Sequence, residues 1–366
     1  MAFGVAQLAA GTYHVAETTI YHASNAPQRT ELLGLFAFSN SKAGFIDKSV
    51  IQTIATVPVG SNPYAATYDS GKGEVFVSDE GANNVSVIND TSNTVVAIIA
   101  AGNNTDQMAY DPAKGEIFVT NTGSNNVSVI DDATNSVVAN INVTANPQGI
   151  AYDSAKRMVF VGGGSGISVI STSTNKVVRT IAMGGNILSL AYDSGKGEIF
   201  ATAFVGSYTL ADVNVINDTN YSVVASVPVG YQPQMLAYDP TNGEVFVAVD
   251  GVLGTWRGVF VINDTTNTGM RINVYGAVNG TIGWFNYPSG LVYDGGTGEL
   301  FITCWISEVV GVMSTSTNRM VGDVWAGATP PLVSAPVGVA YDSAKGEIFV
   351  AFSFANDAAV MSDGTG

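Results

Sequence analysis

The dipeptide Tyr-Asp returns seven times along this 366-residue chain, at Tyr68, Tyr110, Tyr152, Tyr192, Tyr238, Tyr293 and Tyr341. The intervals are 42, 42, 40, 46, 55 and 48 residues, a spacing that marks a repeat architecture. Each copy reads alike. An apolar stretch ends in Tyr-Asp, a polar turn such as Ser70-Gly71-Lys72-Gly73 follows, then Glu-Val-Phe-Val. Next come a Gly/Asn/Ser stretch, Val-Ser-Val-Ile, a turn like Asn89-Asp90-Thr91-Ser92-Asn93, and a last apolar stretch from Val95 to Ala100. These are four short strands bounded by turn formers, and no long window carries a helical period. The pattern predicts an all-β chain, a β-propeller of four-stranded antiparallel blades.

The N-terminus extends the pattern. Leu35-Phe36-Ala37-Phe38 matches the second strand of a unit, Gly44-Phe45-Ile46-Asp47 the third and Val50 to Val57 the fourth, with Tyr21-His22 where Tyr-Asp would stand. Counting Tyr21 favours eight blades in a single domain over 1–366, with repeats at 12–60, 61–102, 103–145, 146–185, 186–230, 231–286, 287–330 and 331–366. Residues 1–11 resemble an outer strand, and the chain stops after a third strand, Ala358 to Ser362. The expected closure therefore pairs residues 3–11 beside that strand, which leaves no open sheet edge. The alternative is seven blades, with residues 1–49 as an extension or a strand donated to a neighbour.

Charge and composition narrow the function. A net charge of −16 and a pI near 4.2 exclude a nucleic-acid partner, which needs a basic face. One cysteine, Cys304, rules out a disulfide framework, and two histidines, His14 and His22, leave little imidazole for metal or catalysis. No apolar run has the roughly 18–20 residues of a membrane helix. Met1 to Gly11 carry no basic leader, so a removed signal or an excised domain is expected. With only 14 Lys and Arg, self-repulsion stays limited in acid, which predicts tolerance of an acidic medium.

Val/Ile-Phe-Val-Thr-Asn (Ile117 to Asn121), Val-Ser-Val-Ile and Asn-Pro-Gln-Gly-Ile-Ala-Tyr-Asp (Asn146 to Asp153) resemble the YVTN family of β-propeller repeats, especially those of archaeal surface-layer proteins. The resemblance covers 45–366 well and 1–44 weakly. It implies a propeller, usually seven-bladed, from which a count of eight departs, and it carries no shared catalytic set.

Many of the recurring polar residues are punctuation. The Asp after each repeat Tyr can accept backbone N–H bonds across the next turn, and Lys72, Lys114, Lys156, Lys196 and Lys345 share that turn. Asp79-Glu80 and Asp131-Asp132 read as solvated turns, and Cys304 as a buried thiol. The residues four before each repeat Tyr are Tyr64, Asp106, Gln148, Leu188, Gln234, Ser289 and Val337. This channel ring offers no ligand set, so neither an enzyme nor a bound metal or cofactor is expected.

Variation gathers on the face built by the loops between second and third strands and by the crossovers between blades. Trp256, Trp284, Trp305 and Trp325 point to that face, with Tyr208, Tyr231, Phe285 and Tyr287, and Arg257 as a polar anchor. Flat aromatic surfaces with few charges suit sugar rings or an apolar protein patch. Sequons at Asn84, Asn89, Asn103, Asn126, Asn142, Asn217, Asn220, Asn263 and Asn279 point to an extracellular glycoprotein. The reading is an extracellular or cell-surface binding module for a glycan or another envelope protein. Two alternatives stand beside it: a self-assembling subunit of a surface layer or filament, and a lactonase- or dehydrogenase-like propeller enzyme.

Overall fold

The computed structural model describes residues 52–164, 166–204, 210–251, 255–278, 281–284, 287–325 and 335–363; for 275–278, 281–284 and 325 the description covers the backbone. Every regular element among them is a strand. First comes β1 (Thr53–Pro58). Blade 1 holds β2 (Pro63–Asp69), β3 (Glu74–Asp79), β4 (Asn84–Asn89) and β5 (Thr94–Ala100); blade 2 holds β6 (Thr105–Asp111), β7 (Glu116–Asn121), β8 (Asn126–Asp131) and β9 (Ser136–Asn142). Blade 3 is β10 (Ile150–Asp153), β11 (Met158–Gly163), β12 (Gly166–Ser171) and β13 (Lys176–Ala182); blade 4 is β14 (Asn186–Asp193), β15 (Glu198–Phe204), β16 (Leu210–Asn217) and β17 (Val223–Tyr231). Blade 5 is β18 (Pro233–Asp239), β19 (Glu244–Val249), β20 (Gly258–Asn263) and β21 (Thr268–Ile272), followed by a hairpin of β22 (Tyr275–Val278) and β23 (Thr281–Trp284). Blade 6 is β24 (Pro288–Asp294), β25 (Glu299–Cys304), β26 (Val309–Ser314) and β27 (Arg319–Trp325). Blade 7 joins β28 (Pro336–Asp342), β29 (Glu347–Phe352) and β30 (Asp357–Ser362) to β1.

The propeller has seven four-stranded blades, which corrects the favoured count of eight. The reason lies in β1. A lone outer strand before the first full repeat can finish a blade of its own or complete the last blade, and here it completes the last. It also replaces residues 3–11 as the closing strand: β1 runs antiparallel to β30 from Pro58↔Asp357 to Thr53↔Met361. At the two ends of the seam, Val59 N–H donates to the Asn356 carbonyl and Ser362 N–H to the Gln52 carbonyl, both at 3.1 Å. Residues 1–11, the repeat at 12–60 before Gln52, and His14 and His22 lie outside the described residues.

The packing follows from the apolar pattern. Second and third strands are buried on both faces between neighbouring blades, which is why they read as unbroken apolar runs. The outer strands alternate exposed and covered residues. Phe76, Phe118, Phe160, Phe200, Phe246, Phe301 and Phe349 occupy one equivalent site in every blade and are fully buried. Phe76 packs with Ile117, Val119 and Ile130 of blade 2, and Phe349 packs with Val75, Val77 and Ile88 of blade 1. The ring thus closes through side chains as well as strands.

The repeat punctuation fixes the turns as expected. Each Tyr-Asp carboxylate accepts N–H bonds from the following turn, for example from Gly71 at 2.8 Å and Lys72 at 3.2 Å to Asp69 Oδ1. Gly73 sits at φ 66°, and a Cβ there would meet the Asp90 carboxylate at 2.7 Å. The turn lysines reach across to the next blade. Lys114 Nζ donates to the Thr172 carbonyl at 2.7 Å, Lys156 pairs with Asp218, and Lys345 pairs with Asp90 at 2.9 Å, fastening blade 7 to blade 1. Asp79 corrects the reading of a solvated turn: it ends β3 and is fully buried.

Candidate functional site

The inner strands carry a repeated irregularity that builds the centre of the ring. Pairing to the second strand skips residues between Pro63 and Ala65, Thr105 and Met108, Ile187 and Leu190, Pro233 and Leu236, Pro288 and Leu291, and Pro336 and Val339. Such bulges re-aim side chains and free a backbone N–H. A hydroxyl on the second strand takes up that N–H: Ser78 from Ala65 (3.0 Å), Thr120 from Gln107 (3.0 Å), Thr202 from Ser189 (2.9 Å) and Thr303 from Gly290 (2.8 Å). The bulged residues face a central cavity of about 100 Å³ lined by Tyr64, Gln107, Gln148, Leu188, Gln234, Met235, Ser289 and Val337. Six of the seven ring positions expected from the sequence are there. In blade 2 the bulge admits Gln107 in place of Asp106, and Gln107 Nε2 donates to the Leu188 carbonyl at 2.8 Å.

A larger cavity, about 320 Å³, opens beside it. Its walls come from crossovers between blades (Asn62, Tyr287) and from loops after second strands (Glu80, Asp250, Trp305, Phe354), with Tyr64 shared by both cavities. Three rings run in a row: Tyr287 and Trp305 meet edge to face with centroids 6.4 Å apart, and Trp305 and Phe354 stand 6.0 Å apart. Trp305 is 36 % exposed and Phe354 59 %, so the two rings form a contiguous exposed apolar patch at the cavity. Tyr287 adopts φ 62°, a position that Asn62, Asn104 and Asn146 fill elsewhere. Asn tolerates this left-handed backbone better than Tyr, so the phenol is held there at a conformational cost. Trp305 N–H donates to the Tyr287 carbonyl at 3.0 Å and ties the two loops together.

The charged groups that line this cavity are two carboxylates, Glu80 and Asp250, set among amides and hydroxyls. Asn62 Nδ2 donates to Glu80 Oε2 at 2.6 Å. Burial pushes the Asp250 carboxyl up to about 7, with Arg257 pulling it partly back. Asp106, 7 % exposed, has its carboxyl driven well above the usual range by burial and then by Glu80. Together, Asp106 foremost, then burial and Glu80, raise the Tyr64 hydroxyl. Arg257 Nε donates to the Asp250 carbonyl (2.7 Å) and Nη2 to the Tyr287 hydroxyl (3.0 Å), while its guanidinium lies 4.3 Å from the Tyr287 ring centroid.

Of the aromatic set expected from the sequence, Tyr287 and Trp305 line this cavity, and Arg257 braces Tyr287. Trp256 serves a different purpose. It packs half-buried against the core around Val247, Val249 and Phe260, and its Nε1 donates to Asn273 Oδ1 at 2.8 Å. Tyr231 ends β17, where its carbonyl accepts the Gly251 N–H at 3.1 Å, away from the cavity lining. The backbones of Trp284 and Trp325 end β23 and β27. The side chains of those two, and Tyr208 and Phe285 entirely, lie outside the described residues. Sequence reasoning missed Asp250 and Phe354 and set Glu80 aside as part of a solvated turn. For Phe354 the signal was its place in the repeat, in the same loop after the second strand that carries Trp305 in blade 6.

Among the sequon asparagines, Asn103, Asn142 and Asn220 are exposed, whereas Asn84, Asn89, Asn126, Asn217 and Asn263 are half-buried; Asn279 lies outside the described residues. Asn89, Asn217 and Asn263 accept N–H bonds across the turn that follows, so their Oδ1 atoms already have a structural task. Among the described residues, no group of three or more His, Cys, Asp or Glu is placed to hold a metal ion. No described helix is long and apolar enough to cross a membrane. Cys304 is buried, and burial drives its thiol up.

Fold and bulged centre define the class: a seven-bladed β-propeller with cavities at the channel. Among solved structures it is similar to the hydrazine synthase of Kuenenia stuttgartiensis, with a TM-score of 0.73 and 16 % sequence identity over 82 % of this chain and 95 % of that one. At that identity the likeness extends to the fold. No family model and no curated protein matches the sequence.

Proposed function

We propose that this propeller is a binding module of the cell exterior that holds a sugar at the mouth of its channel. The observation that carries the reading is the row of Tyr287, Trp305 and Phe354 facing a cavity whose other walls offer carboxylates and an amide. Aromatic faces cover the C–H side of a pyranose, while Glu80, Asp250 and Asn62 can bond its hydroxyls. Acidic composition, the exposed sequons Asn103, Asn142 and Asn220, and the YVTN-like repeats support an extracellular, glycosylated and archaeal surface setting. The reading gives the chain no catalytic step, metal or cofactor. Titrating mono- and disaccharides into the purified protein by calorimetry tests it; binding that Trp305→Ala weakens is expected, and silence across neutral, acidic and amino sugars refutes it.

A second reading has its own observation. Val96, Ile98, Val138, Val178, Val224 and Met270 stand exposed on outer strands around the rim. Such apolar edges favour side-by-side assembly into a layer or filament. Light scattering against concentration checks it, with growth of mass expected and a constant monomer refuting it.

A further inference from the structure

The sugar reading leaves open which sugar, and charge narrows it. The walls of the 320 Å³ cavity contain two carboxylates, Glu80 and Asp250, and no Lys, Arg or His. Asp250 Oδ1 is buried and finds no donor among the described residues. An acceptor left bare in a wall costs free energy unless a donor arrives. A carboxylate or phosphate ligand would bring a further negative charge beside Glu80 and Asp250, which Arg257 offsets only in part, and is disfavoured by repulsion. A neutral hydroxyl could bond one oxygen but would add no compensating charge. A protonated amine supplies both the donors and the charge.

The rings point the same way. Aromatic faces carry negative potential and attract cations. The chain supplies a precedent, since the Arg257 guanidinium lies over Tyr287 and bonds its hydroxyl. That contact uses one side of Tyr287, while Trp305 and Phe354 remain exposed beside the carboxylates. The cavity suits one pyranose-sized ring, near the lower end of ordinary ligand pockets.

We infer that the ligand presents a protonated amino group, an amino sugar in the simplest case, to Glu80 and Asp250 while its ring lies on Trp305 and Phe354. The inference rests on the sugar reading for the ring and on the carboxylates for the charge. Four probes separate the two. Calorimetry on the full chain at neutral pH compares glucosamine, glucose, N-acetylglucosamine and cyclohexylamine.

Glucosamine should bind about tenfold or more tightly than glucose or N-acetylglucosamine. Glu80→Gln and Asp250→Asn should each erode that preference in a protein that stays folded, Asp250→Asn with a raised melting temperature because a buried carboxyl that resists ionisation is gone, and added potassium chloride should weaken binding to the unsubstituted protein. Equal binding of all three sugars overturns the inference and leaves the sugar reading standing. Binding of cyclohexylamine with none of the sugars upholds the ammonium site and overturns the sugar reading. If neither amine binds, the inference is wrong.

Discussion

Replacing Asp79 by Asn should stabilise the protein, and more so as pH rises. Asp79 is fully buried, and burial pushes its carboxyl from 3.8 up to about 6, although Ser86 Oγ donates to it at 2.7 Å. The equivalent residue of blade 2 is Asn121, whose Nδ2 donates to Asn126 Oδ1 at 2.8 Å and to Ser128 Oγ at 2.9 Å. Blade 1 keeps both acceptors as Asn84 and Ser86, yet Asn84 Oδ1 and Asp79 Oδ1 lack a donor among the described residues. An amide in place of this carboxyl supplies the missing donor. Because the folded value lies above the unfolded one, ionisation opposes folding. The penalty is absent below pH 4, grows between 4 and 6 and is complete above 6. Its full size is about 3 kcal/mol at 1.36 kcal/mol per unit, with about 1 kcal/mol more from the new hydrogen bond. Asn is isosteric, which matters because the Gly60 backbone leaves no spare room: a Cβ there would stand 2.5 Å from the Asp79 carboxyl. Denaturant titrations of both proteins at pH 4 and pH 8 give the comparison, and at pH 8 the melting temperature should rise by about 4–6 °C. A gap between the two proteins that stays constant across pH, or an Asp79→Asn variant less stable than the unsubstituted protein at pH 8, would refute the reasoning.

Trp305→Ala should weaken sugar binding about tenfold with little change in stability, whereas Trp256→Ala should cost about 2–4 kcal/mol in denaturant titrations because its ring fills blade 5. Removing residues 52–58 should lower stability by at least about 3 kcal/mol, since Val57 loses its burial and β30 its partner, and light scattering should detect association at the bared edge. Amine binding should tighten as pH rises through about 7, because Asp250 must ionise there; Arg257 and Glu80 bear on the same site, and calorimetry of Asp250→Asn should show that rise flattened.

The repeat was legible because each blade must solve the same problem: two strands covered on both faces, one outer strand half wet, and turns that need Asp, Asn and Gly. The blade count was not. Val50 to Val57 has the pattern of an outer strand wherever it docks, and only closure of the ring decides which blade receives it. The face with the variable loops could be read, because those loops break the monotony of the turns on the other side, and this brought in Arg257, Tyr287 and Trp305, which meet at the larger cavity. Glu80 and Asp250 could not be found that way, and Phe354 only by its place in the repeat. They lie on blades 1, 5 and 7, and their meeting depends on the curvature of the whole ring. Trp256 lies outside the cavity lining; an indole in a loop has the same sequence signature whether it faces a cavity or packs on a blade. Asp79 misled because its acid looks solvent-facing until Asn121 reveals the buried slot.

Seam β1–β30 also sets the timing of the molecule's life. Its two strands are about 300 residues apart in the chain, so a nascent protein must hold β1 unpaired until blade 7 has been made. Blades 1 to 6 would accumulate as an open arc, the stage most exposed to aggregation. Once the seam is shut, neither end of the arc can peel away blade by blade, and unfolding must first part β1 from β30. Persistence of the closed ring then becomes a question of rate, set by one pair of strands, with the half-life of that pairing as the clock.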